Sequence, residues 1–441
     1  MDSDLTKPAA TASTGDPRYG RFAATAKLLT TFLAGHGVLQ ALNIFTGLFL
    51  LRQLSIEGYA EYSLALAFQT TAISLTNLGL TDSIIPLVGS RAADHKLVGT
   101  YVQAARLLRT RLFLVVAPCC AGAFLLIVRG HQWTDSSVLI LLFSILASLY
   151  FSVSVSCWSA PLILNRRLYD YYLGQWISSA ARLGVYVLAS AGNLLSAVFA
   201  SLTGVASILL NGIIVKARAA EFVELPTQVD KSANREVLRC MLPMMPAALF
   251  TSFQPQVALL LVSIFGQTLQ IAQIAALSRI AQLFVIFSTF STLVVEPYIA
   301  RLPPGRLLLA YIRVVGCAIF VGGILTLLSF IFPQALLWIL GPKYADLDNV
   351  VGWVVLSSAL STTANVIWVM NRGRRWLFWR GSFLEIGGLI VFQTAYVVMV
   401  GVRTTFSAAL FMLAASGAHL VAHAYVMVYG LMKHRQLSAS A

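Results

Sequence analysis

Ionisable and amide side chains interrupt the long apolar runs of this chain at only a few points. Arg279 stands in "ALSRIAQLF", with Ser278 and Gln282 beside it. His36, Gln40 and Asn43 recur at i, i+4 and i+7, which places all three on one helix face. Thr70, Ser74, Asn77 and Thr81 form a second stripe, followed by Asp82. In "MLPMMPAALFTSFQPQ", Pro243, Pro246 and Pro255 remove helix hydrogen bonds, and Gln254 and Gln256 flank the last proline. Arg182 and Glu296 complete the set. A charge at the centre of a bilayer costs about 3 kcal/mol or more, so such residues face a cavity or a partner. An inward guanidinium suits an anionic ligand. Hydroxyls and amides suit a sugar, although they also join membrane helices to one another. Asp82 and Glu296 lie near inner helix ends. They are candidates for ion coupling, or for pairing with Arg91 and Arg301. His419 and His423 have a spacing that could bind a metal, but no third ligand stands near them in sequence. They read as packing, and no metal site is expected.

The elements that must position these residues are set by composition. Hydrophobic residues make up 58% of 441 and charged ones 11%, against roughly 25% charged in soluble domains. The chain reads as an all-α polytopic membrane protein. A spanning helix needs about 20 mainly apolar residues. Twelve runs qualify: 28–51, 62–89, 107–128, 137–162, 172–191, 194–216, 238–264, 271–299, 307–332, 349–370, 378–401 and 405–432. Residues 1–27 form a polar tail with no signal peptide, 217–237 a polar linker, and 433–441 a second tail. The two lobes are then 28–216 and 238–432, with six spans each.

Charge sets the orientation. The net charge is +14, but the cations cluster in short loops, which speaks for topology and against nucleic acid. With the N-terminus inside, 25 of the 31 Lys and Arg lie on the inner side. Arg52, Arg129, Lys343 and Arg403 lie outside, and Arg182 and Arg279 lie within spans. Both termini are therefore expected in the cytoplasm. The five cysteines form no paired or metal-binding spacing and read as small apolar residues. No phosphate loop, nucleophile elbow or zinc-protease motif is present, so neither an enzyme nor a cofactor is expected.

Two outer loops read alike. "RGHQWTD" joins spans 3 and 4, "LGPKYAD" joins spans 9 and 10, and they lie 211 residues apart. Asn165-Arg166 and Asn371-Arg372 repeat one loop later at an offset of 206. Six spans per repeat give both halves the same orientation, hence a pseudo-two-fold axis along the membrane normal. Polar residues in spans 1, 2, 7 and 8 then occupy corresponding places. A central cavity lined by the first two helices of each half is expected.

"LLRQLSIEGYAEYSLALAFQTTAISLTNLGLTDSIIP" (Leu50 to Pro86) resembles the opening signature of the Wzx-like oligosaccharide flippase family. "LLWILGPKYADLDNVVGWVV" and "LLLVSIFGQTLQIAQIAALSRIAQLF" resemble its loop before span 10 and its span 7–8 turn. The loop after span 1 departs from the family's Gly-Pro-Glu-Glu-aromatic-Gly, and the span 7–8 turn lacks the family's acidic residue and tyrosine. The resemblance implies the multidrug/oligosaccharidyl-lipid/polysaccharide exporter superfamily, two six-helix lobes, and a bacterial inner membrane. It further implies translocation of a polyprenyl-diphosphate-linked oligosaccharide to the outer leaflet, for exopolysaccharide, capsule or O-antigen. Substrate contacts would fall on Arg279, His36, Gln40, Asn43, Asn77, Gln254 and Gln282. Partners would be the lipid-linked oligosaccharide, membrane lipids, and the pathway's glycosyltransferases and polymerase. Two alternatives stand beside this. A cation-coupled drug or metabolite antiporter needs a deep carboxylate. A glycan polymerase or ligase needs a large charged outer loop, and the loops here are short.

Overall fold

The computed structural model describes residues 17–439, apart from 78–79, 81–83, 85–86, 89–90, 166, 227–229, 243–244, 246–248, 251–252, 375 and 377–378. Side chains are outside the description at 17–34, 379–382, 434–439 and a few single positions. Asp82, Thr81, Pro243 and Pro246 therefore lie outside the described residues. The described chain is almost entirely helical, as lipid requires. No water reaches the hydrocarbon to satisfy an open backbone, so each segment must close its own hydrogen bonds.

The first lobe comprises Pro17–Gln53, Ile56–Asn77, His95–Val128, Asp135–Leu164, Leu168–Ala191 and Ala197–Ala219 (spans 1 to 6). In the second lobe, span 7 is described as a 3-10 turn, Gln254–Gln256, followed by Val257–Phe265. Span 8 is three helical pieces, Thr268–Leu283, Val285–Phe290 and Glu296–Arg301, with a π turn at Ser291–Val295. Spans 9 to 12 are Leu307–Ile331, Asp348–Gly373, Trp379–Met399 and Thr405–Ala439. Seven helices are long and apolar enough on their described residues to cross a membrane. Large apolar side chains along the spans are exposed, among them Leu126, Leu188, Phe320 and Met399. A soluble protein would hide such a belt; lipid accepts it.

The two lobes repeat one packing scheme. In the first, span 4 packs on spans 2, 3 and 6, and span 5 on span 6. In the second, span 10 packs on spans 8, 9 and 12, and span 11 on span 12. The molecule is thus an all-α membrane protein of twelve spans in two related six-helix lobes. Span 2 meets span 8 along the main lobe–lobe seam, flanked by contacts of span 1 with span 8 and span 2 with span 7.

Several helix ends differ from expectation; span 1 begins at Pro17 rather than 28, within the expected tail. Span 3 begins at His95 rather than 107, because Val98, Tyr101, Val102 and Ala105 bury one face of an extra three turns. Span 7 was expected from 238, yet Lys231–Met241 is a separate amphipathic helix. It buries Ala233, Val237 and Met241 at i, i+4 and i+8. Asp230 caps it, accepting from the Ser232 backbone and hydroxyl at 2.7 Å, and these bonds hold its carboxyl below the usual range.

The linker is fastened to span 3. Tyr101 donates to Glu236 at 2.6 Å, and the Glu224 N–H donates to the His95 carbonyl at 3.1 Å. Between these bonds the linker backbone crosses Gly99 so closely that a Cβ there would lie 1.8 Å from the Glu224 carbonyl oxygen. Only glycine allows this crossing. Gly99→Ala is expected to lower the melting temperature of the purified protein by several degrees, an overpacking cost of about 1–3 kcal/mol. An unchanged melting curve in a tryptophan-fluorescence scan would reject the crossing.

Candidate functional site

Span 8 carries the guanidinium on which the site is built. Arg279 Nε donates to the Tyr59 hydroxyl of span 2 at 2.9 Å, and Nη1 approaches Gln282 Oε1 at 3.4 Å. Tyr59 is fully buried and meets Tyr344 edge-on, with centroids 6.4 Å apart. The guanidinium lies across span 1 at Gly47, where a Cβ would fall 2.8 Å from Nη1. A glycine on one helix and a tyrosine on another thus hold the cation in place. No carboxylate pairs with Arg279 among the described residues.

Arg279 opens on a cavity of about 550 Å³. Its floor is span 2, through Ser63 and Thr70, and one wall is span 8, through Ser278, Arg279, Gln282 and Ser288. Gln254 and Gln256 contribute from the broken start of span 7. Span 10 supplies Ser357, Ser358, Ser361, Thr362 and Asn365, and span 12 supplies Ser416 and His419. The described lining holds hydroxyls, amides, one guanidinium and one imidazole, but no carboxylate. Helix breaks cluster here. The 3-10 turn of span 7 carries Gln254 and Gln256, and the π turn of span 8 follows Ser288. Discontinuous helices are tolerated in a membrane where they line a cavity.

This arrangement differs from the expected cavity in two respects. Among the described residues span 1 contributes no lining, and spans 10 and 12 do. Arg279, Gln254 and Gln282 come together, whereas His36, Gln40, Asn43 and Asn77 are absent from the lining. Of the span 1 stripe, Asn43 meets span 5, its Oδ1 accepting from Arg182 Nη2 at 2.9 Å, and beside His36 the Gly35 carbonyl accepts from Trp176 at 2.9 Å. Arg182 thus joins spans 1 and 5. The polar run of span 10, "SSALSTTAN", was the missed signal. Its residues sit at i, i+1, i+4, i+5 and i+8 of one helix face.

Glu296 is held by Arg372; the side chain of Arg301, the expected partner, lies outside the description. Arg372 Nε donates to Oε1 at 2.8 Å, Nη2 to Oε2, and the guanidinium stacks over Trp368 at 4.5 Å. Arg372 belongs to the second repeated motif. Arg109 of span 3 is fully buried.

Each loop of the first motif reaches across to the opposite lobe. From "RGHQWTD", His131 contacts the Ser263 carbonyl at 3.0 Å and the Thr268 hydroxyl at 3.2 Å, at the end of span 7 and the start of span 8. From "LGPKYAD", Lys343 donates to the carbonyls of Arg52 and Leu54 at 2.9 and 2.7 Å, in the turn between spans 1 and 2. Arg52 returns two bonds, to Trp338 and Ile339 carbonyls at 2.6 and 3.1 Å. The lobes are clasped twice at this end.

No protein-family model and no curated protein matches the sequence. Solved structures match its fold. A multidrug resistance MATE family transporter of the MOP superfamily, in an inward-facing conformation, superposes with a TM-score of 0.64 at 14% identity, over 91% of this chain and 96% of that one. The lipid II flippase MurJ, inward closed, gives 0.63 at 13% identity, over 91% and 87%. A point mutant of the Vibrio cholerae MATE transporter VcmN gives 0.59 at 15%, over 95% and 98%. At such identities the likeness establishes the fold.

The Glu296–Arg372 pair is tested by charge reversal. Glu296→Lys is expected to cost on the order of 1–3 kcal/mol by leaving Arg372 without its acceptor, read as a lower melting temperature. The double reversal Glu296→Arg with Arg372→Glu is expected to recover most of the loss. A single reversal as stable as the parent would show that the pair contributes nothing.

Proposed function

We propose that this chain is a membrane flippase, carrying polyprenyl-diphosphate-linked oligosaccharide from the cytoplasmic to the outer leaflet by alternating access. The observation that carries the reading is the charge pattern of the cavity: one guanidinium without a carboxylate partner, among hydroxyls and amides. A diphosphate needs a cation that is not already neutralised. A sugar needs neutral donors and acceptors, and Gln254, Gln282, Ser361 and Asn365 offer both. Arg279 takes the head group. His36, Gln40, Asn43 and Asn77 belong to the first-lobe wall of the path, met as the lobes rearrange. The product would supply exopolysaccharide, capsule or O-antigen, in a bacterial inner membrane with both termini cytoplasmic. The pathway's glycosyltransferases and polymerase are the expected partners. The lobes are taken as 28–216 and 238–432, joined by the linker 217–237.

The shared fold of MATE transporters and MurJ keeps an antiporter as the second reading. Drug cations need a carboxylate in the binding cavity, and the described lining offers none. Glu296, one candidate for ion coupling, is tied to Arg372. Asp82, the other, lies outside the described residues.

Replacement of Arg279 by Ala removes charge-assisted bonds worth about 1.5–3 kcal/mol, roughly tenfold or more in transport. Arg279→Lys is expected to retain an intermediate level, because the charge survives but the fork does not. In a deletion strain complemented with each variant, surface polymer and the outer-leaflet pool of lipid-linked repeat unit would be measured together. Normal levels of both with a well-expressed Arg279→Ala variant would overturn the assignment.

A further inference from the structure

We infer that Glu385, His419 and His423 form a binding site for a zinc-class divalent cation inside the second lobe. His419 and His423 lie one turn apart on span 12, with rings 6.1 Å apart and nearly parallel, at 25°. Span 11 brings Glu385 against both. Its Oε1 lies 3.2 Å from His419 Nδ1 and 3.5 Å from His423 Nε2. One potential ligand atom from each residue lies within 4.8 Å of the others. Zinc–nitrogen and zinc–oxygen bonds of about 2.05 Å at the tetrahedral angle put neighbouring ligand atoms about 3.3 Å apart. Two edges of the triangle already have that length, and the third needs only a side-chain adjustment.

The surroundings fit an ion. His423 is buried, and Glu385 and His419 are half-buried. His419 also lines the polar cavity, so a fourth position is open to water or ligand, as in zinc sites with three protein ligands. The span 12 backbone is anchored at the cluster. Asn371 donates to the His423 carbonyl at 3.1 Å and accepts from Tyr311 at 3.3 Å. Two imidazoles and one carboxylate select zinc-like ions, whereas sodium, magnesium and calcium prefer oxygen ligands throughout. The cluster belongs to the second lobe alone. At offsets of 206 and 211 residues, the first-half positions are Ser179 or Gly174, Ile213 or Ile208, and Ala217 or Gly212, none of them a ligand.

The test uses the full chain in detergent, stripped of metal, with zinc chloride alone as the probe. Calorimetric titration is expected to give one zinc per chain. Glu385→Gln, His419→Gln and His423→Asn, each checked for monodispersity, are expected to weaken binding by about tenfold or more, while His95→Ala leaves it unchanged. Hundredfold excess sodium or magnesium is expected not to compete. Should the variants misfold, cobalt absorption of the parent protein decides: intense visible bands of a low-coordinate nitrogen–oxygen site are expected. A parent chain that takes up no zinc, variants that bind it equally well, or an absent cobalt spectrum would each overturn the proposal. The readout is metal binding, so it stands or falls separately from the transport reading.

Discussion

In hydrocarbon, a backbone N–H or C=O without a partner costs several kcal/mol, and no water is there to supply one. Straight helices meet that demand at no cost in shape. Most spans here are continuous helices, and they place apolar side chains outward into lipid. Among the described residues, the departures fall in spans 7 and 8, where a 3-10 turn and a π turn interrupt the ladder. Both interruptions adjoin the polar cavity, where hydroxyls and amides are available to the freed backbone groups. The cavity and the helix breaks are thus one feature. A chain that opens a polar space in a membrane breaks its helices beside that space.

The same economy governs the charges. Arg372 is neutralised by Glu296. Arg182 meets only the neutral amide of Asn43, away from the cavity. Arg279 differs from both in facing the cavity. Its hydrogen-bond partners, Tyr59 and Gln282, are neutral, so its charge is held in position without being cancelled. A fixed, uncancelled cation in a cavity of neutral donors and acceptors is an electrostatic preference for anions. The Glu385–His419–His423 cluster is a second polar centre, and it reaches the cavity wall through His419.

Duplication gives the molecule its clasp. Each copy of the loop between the third and fourth spans of a lobe lands on the first turn of the other lobe. A contact made by one copy is made again by its counterpart, because the pseudo-two-fold axis exchanges the lobes. The partners differ in detail, His131 on one side and Lys343 on the other, as expected of copies that have diverged. The seam of span 2 against span 8 lies beneath these loops.

Hydropathy by itself determined the class and the twelve spans, and two matched loop motifs the two-fold repeat. Apolar runs of spanning length and an inner bias of Lys and Arg are one-dimensional properties, so they survive without coordinates. Arg279, Gln254 and Gln282 were legible for the same reason: a polar residue in an apolar run stands out. Which stripe faces the cavity was not legible. His36, Gln40 and Asn43 have the right period, but period fixes only a face, and the neighbour that face meets depends on how the helices are arranged. The serines of span 10 carried the weaker letters and line the wall. Pairings across large separations were likewise hidden, since Arg372 finds Glu296 76 residues away. The third ligand of the histidine pair is on the preceding span. Only tertiary packing, which brings distant helices within a few ångströms, decided which of these polar residues stand together.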